Sequence, residues 1–366
     1  VLDEGRKLWR RFHAIDFPHK IREELKLNRA DAGWYQIRKA LEQYAVELQT
    51  YINAPIAKDI PIENILWAIQ ALPAGQKEIA FLKFWPESNL TTLDESTLIA
   101  ISEMLKNKEI YEAVKGIIQN PFNAANVVNI ALQNQARVQS PEMANMLLAP
   151  VNTLLRSESQ ANIDLALDAI GRFKMDKLRE AVISLINDQT PDNTLKLALK
   201  GLEINPKASQ EVFMRIVQNK KLSFEVRAAA LNSLSKASPS EGELALLKWI
   251  PVLQATEKTE LVSILSGSSQ SAAILMNVFG QKGLDLSAFN LSSAERIVNT
   301  HKSDQRSQVI IEGVKKREEE KKKAFEGDLS RYMAIAKKNG GNPAEGKTLF
   351  QTCLLCHQVG SKGQNI

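Results

Sequence analysis

The chain has 366 residues, with 47 Lys and Arg against 42 Asp and Glu, a formal net charge of +5. Its apolar fraction of 44% and charged fraction of 24% are ordinary for a folded protein, and 6% aromatic residues argue against a strand-rich barrel or sandwich. The small net charge excludes a dedicated nucleic-acid surface, and two Cys exclude a disulfide framework. No apolar run is long enough to predict a membrane-spanning helix.

The two ends of the chain indicate that it is an internal piece of a longer protein. It starts at Val1 without an initiator Met or a signal-peptide pattern. It stops at Ile366, shortly after a motif around Cys356 that normally opens a domain. The missing signal peptide is therefore no evidence for a cytoplasmic location.

Residues 1–60 are predicted to form an irregular, helical N-terminal cap, because their pattern fits the repeats that follow less well. Trp9, Phe12, Phe17, Trp34 and Tyr35 add large apolar surface to this segment. A helix is predicted from Gly33 to Ile52, since apolar residues recur at three- and four-residue steps on one of its faces: Ile37, Leu41, Tyr44, Ala45 and Leu48.

Residues 61–302 contain an internal repeat of about 32 residues. A small residue, an apolar residue, two variable positions and a second apolar residue recur in order, with start-to-start intervals of 32, 31, 35, 32, 32 and 31 residues. The copy that ends at Gln135 lacks the second apolar residue. The seven copies begin at Ala68, Ala100, Ala131, Ala166, Ala198, Ala230 and, more loosely, Leu261.

Each copy lies in a helical pattern, such as the apolar stripe of 162–173, and a second helical stretch such as 178–186 or 208–217 separates neighbouring copies. Turn signals, among them Asn205-Pro206 and Ser238-Pro239, separate the helices. One amphipathic pair cannot bury its apolar faces alone, so the pairs are expected to stack into an all-α solenoid with one core. The array resembles HEAT-like or armadillo-like repeats, in which an Arg such as Arg227 near the start of the second helix is buried or half-buried.

Residues 303–341 are predicted to be a charged linker helix. The pattern is helical from Ile310 to Lys338, and Glu318–Lys322 and Glu319–Lys323 are spaced for i,i+4 pairs. The Glu residues cancel most of the positive charge of this run, so a solvated helix is favoured over a nucleic-acid site. Residues 339–343, Asn-Gly-Gly-Asn-Pro, predict a helix stop and a short hinge.

The last residues carry the only chemical motif that the sequence offers. Cys353, Cys356 and His357 form C-x-x-C-H, the attachment signature of c-type haem. Two thiols at this spacing can each form a thioether with one porphyrin, and the adjacent His can supply an axial nitrogen to its iron. The predicted site residues are therefore Cys353 and Cys356 for haem attachment and His357 as the metal ligand, with no catalytic residue.

Three other interpretations of the two Cys remain open. A structural zinc site needs about four ligands, whereas the chain adds only the remote His13, His19 and His301 to the motif. A thioredoxin-like dithiol needs a βαβ setting that the pattern lacks. An inert or bridged Cys pair is the third interpretation.

The segment from Ala344 into the motif resembles the first helix of a class I cytochrome c, with Gly346 and Phe350 at matching positions. Residues 342–366 are accordingly expected to be the start of a truncated cytochrome c domain. No sixth ligand is assigned: Met333 lies upstream on the charged helix, and His301 is expected to be a surface residue of the solenoid. In the chain given, haem c is expected to be incomplete or absent.

A helical repeat region, a charged helix and a cytochrome c start together resemble the large haem-binding C-x-x-C-H proteins of planctomycete-, verrucomicrobial- and Bacteroidetes-type bacteria. The resemblance implies electron transfer in the periplasm or outside the cytoplasm, with redox partners that are an upstream dehydrogenase domain or a soluble cytochrome. It also makes the full-length protein a possible dehydrogenase, while this chain shows no catalytic motif of its own. The alternative is a repeat protein that only binds other proteins and carries no haem.

Overall fold

The computed structural model describes residues 66, 69–70, 74–88, 90–339 and 342–353, and within these it is all-α, with seventeen α-helices and no strand. The predicted N-terminal cap, its helix over 33–52 and the repeat start at Ala68 lie outside the described residues. The helices are α1 Gln76–Phe84, α2 Glu95–Met104, α3 Lys108–Ile118, α4 Ala124–Gln133, α5 Gln135–Val138, α6 Pro141–Leu155, α7 Gln160–Phe173, α8 Arg179–Ser184, α9 Asp192–Leu202, α10 Gln210–Gln218, α11 Phe224–Ala237, α12 Pro239–Trp249, α13 Ala255–Leu265, α14 Ser269–Val278, α15 Leu291–Thr300, α16 Gln305–Asn339 and α17 Pro343–Cys353.

The chain divides into two compact units between Ser238 and Pro239, at a turn that the sequence predicts. In the first unit the helices form two layers. One layer contains α2, α4, α7, α9 and α11, and each helix packs on the next in that order. The other contains α1, α3, α6, α8 and α10, of which the first four pack in sequence, and α2–α3, α6–α7, α8–α9 and α10–α11 pack across the layers. This is the stacked arrangement of helix pairs that the repeat predicts.

The recurring small residue of the repeat is a core position. Ala100, Ala131, Ala166, Ala198 and Ala230 are all at most 1% exposed, and each lies on a helix of the first layer. A methyl side chain at these positions lets neighbouring helices of the layer approach closely. The closeness is visible at Gly201, where an added Cβ would lie 3.2 Å from Cγ2 of Ile170 on the preceding helix of the layer.

The one copy that breaks the pattern does so because its helix has already ended. α4 stops at Gln133, and Gln135 begins the short α5. Its side chain is half-buried and Nε2 donates a hydrogen bond of 3.1 Å to the carbonyl of Arg172, in the last turn of α7. The amide therefore replaces an apolar contact with a polar one that satisfies a carbonyl at a helix end.

Pro150 lies inside α6, where it cannot donate the backbone hydrogen bond to the carbonyl of Met146. Gln119, which follows α3, supplies a substitute: its Nε2 lies 3.4 Å from that carbonyl oxygen. Pro150 itself is buried in the core. Pro150 is thus tolerated because Gln119, just beyond the end of α3 in the same layer, donates a hydrogen bond to the Met146 carbonyl. Without Gln119 this carbonyl would lack a partner.

Polar side chains connect neighbouring repeats at the same spacing as the apolar pattern. Asp164 of α7 accepts hydrogen bonds from Thr194 Oγ1 at 2.6 Å and from Asn193 Nδ2 at 2.9 Å, both on α9. Glu203 accepts from Ser233 Oγ at 2.6 Å and from Lys236 Nζ at 2.8 Å. These bonds fix the register of one repeat against the next, which apolar contacts alone specify poorly.

Arg227 of α11 is half-buried, as the resemblance to HEAT-like repeats implies. Its Nε donates a hydrogen bond of 3.1 Å to the carbonyl of Val217, near the end of α10. The guanidinium therefore joins the two helices of one pair.

The second unit also consists of helices that pack against one another. α13, which carries the last repeat copy at the buried Leu261, packs on α14 and α15, and α12 packs on α14. A loop with the 3₁₀ turn Leu286–Ala288 joins α14 to α15 and packs on α13 and α16. The first turns of α16 are buried in this unit through Ile310, Ile311 and Val314.

Candidate functional site

The chain segment that leads to C-x-x-C-H is a helix with a defined start. α16 ends at Asn339 and α17 begins at Pro343, which confirms the predicted helix stop. Asn342 caps the N-terminus of α17: its Oδ1 accepts a hydrogen bond of 3.0 Å from the backbone N–H of Ala344. Pro343 occupies the first helical position, where its missing N–H has no intrahelical partner to lose.

The helix predicted from Ala344 is present, and Cys353 is its last residue. The structure thus places the first predicted attachment residue at the carboxyl end of α17. Cys356 and His357 lie outside the described residues.

Two large apolar side chains are exposed on α17 in the turn before Cys353. Leu349 is 74% exposed and Phe350 is 42% exposed, and a Cβ added at Gly346 would have no atom within 4 Å. A porphyrin is a large, flat and mostly apolar group. The exposed Leu349 and Phe350 side chains in the turn before Cys353 could therefore be covered by an apolar group such as haem, or by a further protein segment.

The base of α16 is held in the second unit by two features that the sequence analysis did not identify. A Cβ at Gly313 would lie 2.6 Å from Cδ1 of Leu286, so only glycine allows this approach without a shift. Arg317 donates to the carbonyl of Leu286 through Nη1 and, at 2.5 Å, to the carbonyl of Phe289 through Nη2. The signal in the sequence is weak, because a Gly and an Arg within a charged helix are individually unremarkable.

Beyond Arg317, every side chain of α16 that the structure describes is exposed. The charged run forms intrahelical ion pairs, but with different partners from those predicted for Glu318. The Glu318 carboxylate lies 3.0 Å from Nζ of Lys321, and Lys322 instead lies 4.0 Å from Glu326. The Lys321 ammonium lowers the pKa of Glu318 below its usual value. These exposed pairs add little to stability.

His301 has a structural role in the second unit. Its Nε2 donates a hydrogen bond of 2.9 Å to the carbonyl of Ser269, which joins α14 to the end of α15. Within the described part of the chain, no group of three His, Cys, Asp or Glu side chains is placed to hold a metal ion. Met333 is half-exposed on α16.

Comparison with known families finds similarity to a helical-repeat family. Residues 74–250, just under half of the chain, match the Vitellogenin TPR domain family. The repeat interval of about 32 residues is close to the 34-residue helix pair of TPR units. No curated protein and no solved structure matches the chain. Among the described helices, none combines the length and the apolar character needed to cross a bilayer.

Proposed function

We propose that this chain belongs to a c-type cytochrome that transfers electrons, with haem attached at Cys353 and Cys356 and with His357 as the axial ligand of the iron. The observation that supports the proposal is the C-x-x-C-H motif, whose first Cys is the last residue of α17, with Leu349 and Phe350 exposed in the turn before it. The resemblance of Gly346 to Phe350 to a cytochrome c first helix supports the same conclusion.

When bound, haem c would supply a one-electron ferric–ferrous couple. The residues of this chain would hold it: the two Cys fix the ring covalently and His357 orients the iron. Leu349 and Phe350 would remove water from the adjoining ring edge, because their exposed side chains would contact an apolar group placed there. Substitution of these two residues would therefore leave the ring edge more exposed to water without preventing attachment.

The helical repeats would act as a spacer and a docking surface in this proposal. They contain no catalytic motif, so electrons would come from a dehydrogenase domain or partner and pass to a soluble cytochrome or an oxidase. Because haem c is attached outside the cytoplasmic membrane, the protein would work in the periplasm or at the outer cell surface.

The alternative function is a helical-repeat scaffold that binds other proteins and carries no haem. The match of residues 74–250 to a helical-repeat family favours it, since repeat arrays present extended surfaces for partners. In that case the two Cys have no role in electron transfer.

The test is covalent haem content. Protein extended past Ile366 through a whole cytochrome c domain is exported in a host that matures c-type haem, and the purified protein is examined by a reduced-minus-oxidised spectrum and a pyridine haemochrome assay. We expect haem bands that survive acid–acetone extraction, that disappear in the Cys353→Ala/Cys356→Ala variant and that persist in the control Leu354→Ala. A folded, exported protein without haem bands would sink the proposal and leave the scaffold function.

A further inference from the structure

The outer half of α16 carries an apolar stripe that no described part of the chain covers. Phe325 is 67% exposed, Leu329 50% and Tyr332 59%, and Met333 and Ile335 are about half-exposed beside them. Large apolar side chains are normally buried, and five of them within three helical turns form a continuous exposed patch.

The spacing of the stripe is that of a coiled-coil seam. Phe325, Leu329 and Tyr332 follow one another at steps of four and three residues, which assigns them to heptad positions d, a and d, and the sequence continues this spacing at Ala336. Gly327 and Ala334 fall at position f, on the opposite side of the helix. The apolar side chains therefore occupy one side of the helix, and small residues occupy the opposite side.

The N-terminal part of α16, the helix that carries the stripe, is anchored in the second unit. Its first turns are buried through Ile310 and Val314, and Arg317 holds the loop before α15 through two backbone carbonyls. From residue 318 onward it extends about 30 Å at the usual helical rise. Because α16 is anchored at its N-terminal end and exposed beyond Arg317, the apolar stripe is accessible to a partner helix.

We propose that the partner is a second copy of this chain, and that the outer halves of two α16 helices pair as a short parallel coiled coil. The charges beside the seam favour this occupant. Lys321 lies at position g and Glu326 at position e, and in a parallel pair each g residue faces the e residue five positions later on the other helix. Lys321 of each copy thus meets Glu326 of the other, which gives two attractive pairs.

Both groups can reach a second helix, since the Lys321 and Glu326 side chains are 64% and 59% exposed. Lys321 would share its 3.0 Å ion pair with Glu318, and Glu326 its 4.0 Å contact with Lys322, with the new partner. In the next heptad, Asp328 at position g would face Met333 at position e, so no like charges oppose each other there. Lys322 falls at position a just before Phe325 and would face its own counterpart, so the apolar seam begins at Phe325.

The test is the mass of the 366-residue chain in solution, measured by sedimentation equilibrium from micromolar to sub-millimolar concentration. We expect reversible association from the 40.8 kDa monomer to a dimer. Leu329→Lys places an unpaired charge in each half of the seam, so it is expected to raise the dimer dissociation constant by about a hundredfold or more. The matched control Ala334→Lys adds the same charge to the back of the same helix and is expected to leave the dimer intact.

The direction of the pair is tested by exchanging the two charges. Lys321→Glu is expected to weaken the dimer, and Lys321→Glu/Glu326→Lys to restore it, because only a parallel pair brings these positions together. Both positions are exposed in the single chain, so circular dichroism should show every variant folded. A monomer at every concentration, or a dimer that Leu329→Lys leaves unchanged, overturns the proposal and assigns the stripe to a different partner.

Discussion

The substitution Ala166→Leu tests the central feature of the fold, which is the close packing of helices within one layer. Ala166 is fully buried on α7, which packs against α4 and α9 in its own layer and against α6 in the other. The space around it is small, because on α9 even a Cβ at Gly201 would lie 3.2 Å from Ile170 of the same helix as Ala166.

The magnitude follows from two opposing terms. A leucine adds three carbon atoms, whose burial alone would stabilise the fold by about 2.4 kcal/mol at roughly 0.8 kcal/mol per methylene. A close-packed core cannot accept this volume without shifting helices or leaving rotamer minima, and the usual net result is destabilisation by about 1–3 kcal/mol. For a folded unit of 150–250 residues, each kcal/mol lowers Tm by about 2–4 °C.

The assay is thermal unfolding followed by circular dichroism, with Ala161→Leu as the matched control. Ala161 is on the same helix but exposed, so the same side chain there should change stability by no more than about 0.5 kcal/mol. If Ala166→Leu unfolds at the same temperature as Ala161→Leu, the repeated alanine is not a packing constraint and the argument from the repeat is refuted.

Two further predictions concern the second unit. Gly327→Ala should slow amide hydrogen exchange in α16, because alanine favours the helix by about 1 kcal/mol and meets no atom within 4 Å. Gly313→Ala should lose that gain or destabilise the unit, since its Cβ would lie 2.6 Å from Leu286, and equal gains at both sites would contradict the close approach. The Arg306 guanidinium lowers the pKa of Asp304 from 3.8 to about 2, so the stability that Asp304 contributes is present above pH 3.8 and lost as pH falls towards 2. Asp304→Asn should lower the urea midpoint at neutral pH, and the difference should shrink over that window; a constant difference would refute the assignment.

Much of the repeat architecture could be predicted from the sequence because its pattern is periodic. The small residue at Ala100, Ala131, Ala166, Ala198 and Ala230 marks a position that every repeat must bury in the same way, and all five are buried. The stops at Ser238-Pro239 and around Pro343 are also local, because proline restricts the residue before it and cannot continue a hydrogen-bonded turn.

For the candidate site, the sequence could predict the covalent chemistry but not the surrounding contacts. C-x-x-C-H specifies an attachment chemistry from three residues, and the helix that leads to Cys353 follows from its own pattern. The partners of Glu318 were predicted incorrectly, because i,i+3 and i,i+4 neighbours lie equally close on a helix and rotamers choose between them. The ion-pair partners that the structure shows are Lys321 and Arg317 rather than Lys322.

By itself, therefore, the sequence determined the helices, the period of the repeat and the buried alanines, and it predicts haem attachment at C-x-x-C-H, since each depends on residues close together in the chain. Only the tertiary structure decided which side chains serve a helix other than their own. Gln119 compensates for Pro150 across two helices, Gln135 serves the end of α7, and Arg317 fixes α16 to a loop about thirty residues earlier. These contacts depend on how stacked helices align, and no local propensity encodes that alignment.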